Sequence, residues 1–169
     1  MTPETPPEFS RPFRAHDVGT HTRQQMIEAN FAERSALADR FFLLDLERLT
    51  AALELRKEAA GIRVTGQIHA SGNQPCVTSA EPVPFLITEP VSLLLVAFSP
   101  EAGEFELADA DLDSEPLVGD IIDMGEIAAQ AFGLALNPYP RKKGAKVPGV
   151  LTEDEARLAN SPFAGLKKD

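Results

Sequence analysis

A chain of 169 residues with 43% apolar and 25% charged residues has material for one sizeable core and too little for two. The expectation is a single domain over residues 8–147, with a flexible lead at 1–7 and a flexible tail at 148–169. A net charge of -10 excludes a nucleic-acid grip by the whole surface, since phosphate binding needs clustered Lys and Arg that release counterions.

One cysteine, Cys76, excludes an internal disulfide and fits a reducing, cytoplasmic setting. The opening "MTPETPPEFSRPFRA" has no apolar stretch of the export type. The greasiest run, "VSLLLVAF", is far shorter than the ~20 residues of a bilayer span, so no membrane insertion is expected.

After the Pro-rich lead, "FSRPFRA" reads as a short strand and "HTRQQMIEA" as a weaker one. Asn30 and Glu33 have capping-box spacing, and a helix over about 31–42 follows, with Leu37, Phe41 and Leu44 on its inner face. "LERLTAALELRKEAAG" is ambiguous. Leu49, Ala51, Leu53 and Leu55 alternate as in a strand, Leu46, Leu49 and Leu53 fit a helical stripe, and propensity favours helix. "IRVTGQIHA" is a clear strand with Ile62, Val64, Ile68 and Ala70 on one face and Arg63, Thr65, Gln67 and His69 on the other. If both segments are strands, "EAAG" is their hairpin turn.

"PVPFLITEPVSLLLVAF" is strand-like, with Pro84 and Pro90 confining part of it to an edge or bulge. "EFELA" alternates again, and "DADLDSEP" is a loop by composition. Asp123 with Glu126 caps a second helix whose Met124, Ile127, Ala131 and Leu134 form the buried stripe. Asn137-Pro138 ends it, because Pro lacks the amide N–H and restricts the residue before it. "TEDEARLA" is a short helix candidate in a tail whose anchors are Phe163 and Leu166.

From Val64 to Pro140 the chain carries 12 acidic residues and no Lys or Arg, while the flanks hold all 16 basic ones. This gives an acidic middle, read first as a solvated face. The charge reverses at "YPRKKGAK", where Tyr139 stands beside Arg141, Lys142, Lys143 and Lys146. An exposed aromatic with cations can stack on a base and neutralise phosphates, and the same residues can equally form a solubilising loop or salt bridges to the acidic middle.

Asp109, Asp111 and Asp113 match the start of a calcium loop, but Ser114 and Asp120 stand where that loop needs Gly and Glu; a solvated turn is the better reading. Cys76 could be a nucleophile with His16, His21 or His69 as its base. A lone Cys is more often a packed hydrophobe, and one Cys with three scattered His is not a zinc pattern. No phosphate-binding or hydrolase motif is present. No cofactor, no metal site and no enzymatic activity are expected.

"GLALNPYPRKKGA", preceded by "IIDMGEIAAQ" and "EFELADADLD", resembles the C-terminal signature of the YceD family, the large ribosomal RNA subunit accumulation proteins, in a form similar to the alphaproteobacterial branch. "EFSRPFR", "ERSALADRF" and "QPCVTSAEPVP" followed by a long apolar strand agree in order. The likeness covers roughly residues 8–166, and Ile121 to Lys143 is its specific part, with Asp123, Glu126, Pro138 and Pro140 among the matched positions. Relatives place C-x-x-C at the middle motif. Cys76 matches the first cysteine and Ser79 stands at the second, so no metal or redox role carries over.

The resemblance implies a non-enzymatic ribosome-biogenesis factor required for accumulation of large-subunit ribosomal RNA. Its partners would be ribosomal RNA or a ribosome-assembly or RNA-processing protein, with no membrane. It also implies that residues 47–57 are a strand paired with 62–70. The expected fold is therefore α+β, a curved antiparallel β-sheet of about five to six strands covered by two helices. Two alternatives stand beside this function: a protein-binding module without RNA contact, and a small hydrolase using Cys76 and His69.

Overall fold

The computed structural model describes residues 7–97 and 114–145. "EFELA", the Asp109, Asp111 and Asp113 run, Lys146, "TEDEARLA", Phe163 and Leu166 lie outside the described residues. Among the described residues the protein is α+β, with two α-helices, a five-stranded sheet and a separate two-stranded one.

The ambiguous segment is a strand. β3 (Asp45–Lys57) pairs antiparallel with β2 (Arg23–Glu28) on one side and β4 (Ile62–Pro75) on the other. Two ladders and four buried side chains, Leu49, Ala51, Leu53 and Leu55, outweigh a helix preference worth tenths of a kcal/mol per residue. A bulge between Leu46 and Arg48 shifts the alternation by one, so Leu46 also faces the core.

The β3–β4 hairpin turns at Glu58–Gly61, whose ends exchange amide bonds of 2.8 and 3.3 Å. Gly61 is needed there because a Cβ would stand 2.2 Å from the Leu95 carbonyl oxygen. In β4 the buried face is the expected one, Ile62, Val64, Ile68 and Ala70.

β5 (Pro82–Ala97) pairs antiparallel with β4 along its whole length. β6 (Ser114–Leu117) joins β5 only from Leu94 onward, and does so in parallel. The sheet is thus antiparallel through β2-β3-β4-β5 and mixed at β6, and it does not close. The "SEP" of the composition-defined loop is strand, because it finds a partner remote in sequence. Pro84 and Pro90 lie where β5 has no second strand beside it among the described residues, as the missing donors require. β1 (Pro12–Arg14) pairs antiparallel with β7 (Ile121–Asp123) in the small sheet.

α1 (Phe31–Arg40) starts on the capping box: the Glu33 amide donates to Asn30 Oδ1 at 3.0 Å and the Asn30 amide to Glu33 Oε2 at 2.8 Å. It ends before 42, because Phe42 takes φ 55° and the Leu43 amide closes back on the Ala38 carbonyl at 2.9 Å. This exit breaks the helical period. Leu37 is buried and Phe41 packs on the core, but Leu44 is half exposed, its amide bound to Asn73.

α2 (Met124–Ala135) is rotated from the predicted stripe. Its buried residues are Met124, Gly125, Ala128, Ala129 and Phe132, while Ile127 and Ala131 are half buried and Leu134 is 89% exposed. The small residues let the helix approach closely: a Cβ on Gly125 would lie 2.3 Å from the Phe9 carbonyl oxygen. The Phe132 ring is then set edge-on to Phe41 at 5.5 Å and tilted to Phe85 at 5.9 Å. One hydrophobic core joins these side chains to the inner face of the sheet. No helix among the described residues is long and apolar enough to cross a membrane.

Because Phe132 is fully buried and touches two other rings, Phe132→Ala is expected to destabilise the domain by about 3–5 kcal/mol, read from urea denaturation. A loss under 1 kcal/mol would show that α2 does not pack as described.

Candidate functional site

The basic loop is tethered along its main chain to the turn between β4 and β5. α2 gives way at Leu136, which is extended (φ -64°, ψ 140°). The Asn137 side chain then accepts from the Tyr139 amide at 3.0 Å, and its carbonyl takes the Gln74 side-chain amide at 3.0 Å. The Val77 amide donates to the Pro140 carbonyl at 2.9 Å. Pro140 is buried against this turn and Pro138 is exposed.

The four cations of the loop are not equivalent. Lys142 Nζ is paired with Glu81 Oε1 at 2.7 Å, which is the salt bridge to the acidic middle that the composition allowed. Arg141 and Lys143 are exposed and form no ion pair among the described residues, and Tyr139 is 74% exposed beside them. Lys146 is outside the described residues.

Cys76 lies beneath this loop and is 3% exposed. The Lys142 amide donates to its Sγ at 3.4 Å. That contact, the Ser79 hydroxyl and the Thr78 and Ser79 amides pull the thiol down to about 6, with burial opposing them. The turn is closed by the Cys76 amide on the Glu81 carbonyl and the Ala80 amide on the Cys76 carbonyl, each 2.8 Å.

No histidine is among these partners. His69 is exposed on the other face of the sheet, bonded to Thr88, six residues before β4 ends at Pro75 and so about 20 Å from that end. His16 is held by Asp120, and His21 adjoins Arg23, opposite Leu55 near the far end of β3. The Cys76 and His69 pairing is therefore not assembled. No group of three His, Cys, Asp or Glu side chains suited to a metal ion occurs among the described residues.

Asp123 and Glu126 form a second, separate cluster at the start of α2. Asp123 Oδ1 accepts from the Gly125 amide at 3.0 Å, the Glu126 amide at 3.3 Å and the Arg11 amide at 2.7 Å, and its Oδ2 accepts from the Ser10 hydroxyl. Glu126 does not close a capping box. Its carboxylate is held by the Arg40 guanidinium at 2.9 and 2.8 Å and by Gln130 at 3.2 Å, while Arg40 also reaches Glu8 at 3.0 Å. At the other end of the same helix, Arg11 grips Glu33 at 2.7 and 3.0 Å. These residues tie α1 and α2 to the segment that leads into β1.

The motif positions thus divide into a docked, cation-bearing loop (Cys76, Pro138, Pro140) and a structural clasp (Asp123, Glu126). Gln74 and Glu81, which anchor the loop, carry no local sequence signal, since their partners lie more than 60 residues away. Fold and site together define a two-layer α+β protein with an anchored basic loop at one end of its sheet. Compared with known proteins, the chain matches no family model, no curated protein and no solved structure.

Two pH effects follow. The Arg40 guanidinium holds Glu126, and Arg11 holds Glu33, below the usual carboxylate range. A depressed folded pKa gives stability that is complete above the unfolded value near ~4.3 and is lost as pH falls through the folded one. Acid titration should therefore unfold the protein below about pH 4, and Arg40→Met should weaken that dependence. For Cys76 the folded value of about 6 lies under the unfolded ~8.5, so the unfolded chain binds the extra proton between them. Stability should rise with pH across that window. Cys76→Ala should flatten the rise, and thiolate ultraviolet absorbance should titrate near the lower value.

Proposed function

We propose that the protein is a non-enzymatic ribosome-biogenesis adaptor of the YceD type, acting in the cytoplasm to support accumulation of large-subunit ribosomal RNA. Tyr139, Arg141 and Lys143 contact RNA, and the acidic half engages a basic protein. The observation that carries the RNA contact is the anchored loop. Its main chain is tied to β4 and the following turn, while one aromatic and two cations without an ion pair among the described residues project from it. Such an arrangement has little ordering entropy left to lose on binding. It offers one stacking surface and two phosphate contacts, the kinds of contact by which single-stranded RNA is held.

The reading without RNA contact draws on a different observation. Lys142 is committed to Glu81, so the loop offers a smaller charge than its sequence suggests, in a chain of net charge -10.

Two phosphate contacts on single strands predict about sevenfold weaker binding between about 50 and 200 mM salt. The double variant Arg141→Glu/Lys143→Glu should abolish binding to single-stranded ribosomal RNA fragments and lower both large-subunit RNA levels and co-sedimentation with ribosomal particles. Unchanged RNA levels and co-sedimentation would remove the RNA contact and leave the protein-binding reading.

A further inference from the structure

A groove of about 370 Å³ runs between α2 and the stretch of β5 that precedes its pairing with β6. Its apolar lining comes from Val91 and Leu93 of β5 and from Ile127, Ala131 and Leu134 of α2. Leu134 is 89% exposed, an apolar side chain at the groove wall that the core does not use.

Two carboxylates flank this lining, Glu89 and Glu115, and they are distinguished by what they lack. Among the described acidic residues between Val64 and Pro140, Glu81 is taken by Lys142, Asp120 by His16, Asp123 by Ser10 and the Arg11 amide, and Glu126 by Arg40. The side chains of Glu89 and Glu115 are exposed and have no hydrogen bond or ion pair among the described residues. Among the described residues, the two carboxylates of this stretch left without a partner therefore both line the α2/β5 groove. An apolar floor with free carboxylates at its margin is complementary to a segment bearing apolar side chains next to Lys or Arg.

Such a segment would not add as a strand. Pro90 lies within this stretch of β5 and has no amide N–H to donate, which makes the edge a poor template for β-addition. Side-chain insertion from an amphipathic helix fits instead.

We infer that the α2/β5 groove is the docking site for a basic amphipathic helix of a partner protein, seated on Leu134, Ile127 and Leu93 with its cations on Glu89 and Glu115. This rests on the adaptor reading for the identity of the basic partner, and not for the groove's binding chemistry.

The test uses the full chain and a fluorescein-labelled Leu/Lys amphipathic helix, with a Leu/Glu helix of the same pattern as control, followed by fluorescence anisotropy. The Lys helix should bind and the Glu helix should not. Leu134→Ser, which removes no core packing because the side chain is exposed, and Glu89→Lys/Glu115→Lys should each weaken binding at least tenfold. Leu86→Ser, an equally exposed leucine on the other face of the sheet, should leave it unchanged. Equal loss with Leu86→Ser, or none with the groove variants, overturns the proposal. A tenfold gain on Phe163→Ser/Leu166→Ser would identify the chain's own tail as the occupant. A wild-type dimer that Leu134→Ser dissociates would identify a second copy. Either result overturns the partner assignment. If the groove variants lose the helix in vitro while ribosomal RNA accumulates normally, the groove stands and its part in the ribosomal role falls. If the loop variants lower ribosomal RNA while the groove variants keep the helix, the groove alone fails.

Discussion

One carboxylate joins the two ends of the domain. Asp123 accepts amide hydrogens from the first turn of α2 and, with the same side chain, the hydroxyl of Ser10 and the amide of Arg11 from the segment that leads into β1. Those are the orphan donors of a helix start and of an incoming chain, and a single anion at the positive end of the helix satisfies both. The rest is geometrically downstream. With the start of α2 fixed against Phe9, the helix can approach through Gly125 and Ala129, Phe132 enters between Phe41 and Phe85, and the helix end delivers Asn137 to Gln74 and Pro140 to Val77.

The charge segregation along the sequence has a specific structural outcome. Acidic residues of the middle meet basic residues of the flanks: Glu126 with Arg40, Glu81 with Lys142, Asp120 with His16. Each exposed pair is worth little by itself, about 0–1 kcal/mol. Their effect is to choose among arrangements, since α1, α2 and the β4–β5 turn carry matching partners only in this packing. What is left unpaired among the described residues is as informative. Arg141 and Lys143 remain at the loop, and Glu89 and Glu115 remain at the groove, so the molecule shows two surfaces of opposite sign at different places.

Several features were legible from residues a few positions apart. The Asn30 and Glu33 box, the Ile62 to Ala70 alternation, the EAAG hairpin, the confinement of Pro84 and Pro90 and the Asp123 cap all depend on local geometry. The α+β class and the two covering helices also follow from such patterns, whereas the strand at 47–57 is implied by the family resemblance alone and β6 reads as loop. The departures from local pattern share a cause. Extending a helical period puts Leu44 and Leu134 inside, but the left-handed exit at Phe42 ends one period, and the small-residue face of α2, not its bulkiest stripe, sets the other. Glu126 has capping-box spacing and was drawn instead to Arg40, a stronger partner 86 residues away.

The candidate site was half visible. Tyr139 and its cations stood out because charge reversal and proline punctuation are properties of the chain. Which cation is free, why Cys76 is an anion-stabilising position and where the acidic half keeps its uncompensated charge depend on contacts between segments more than 60 residues apart. By itself the sequence determined the periodicity, the caps, the turn residues and the net charge, because these act within one or two turns of backbone. Only the tertiary structure decided β3 over helix, the parallel addition of β6, the facing of α2 and the pairing of Lys142, because each is a competition settled by a partner that no local pattern names.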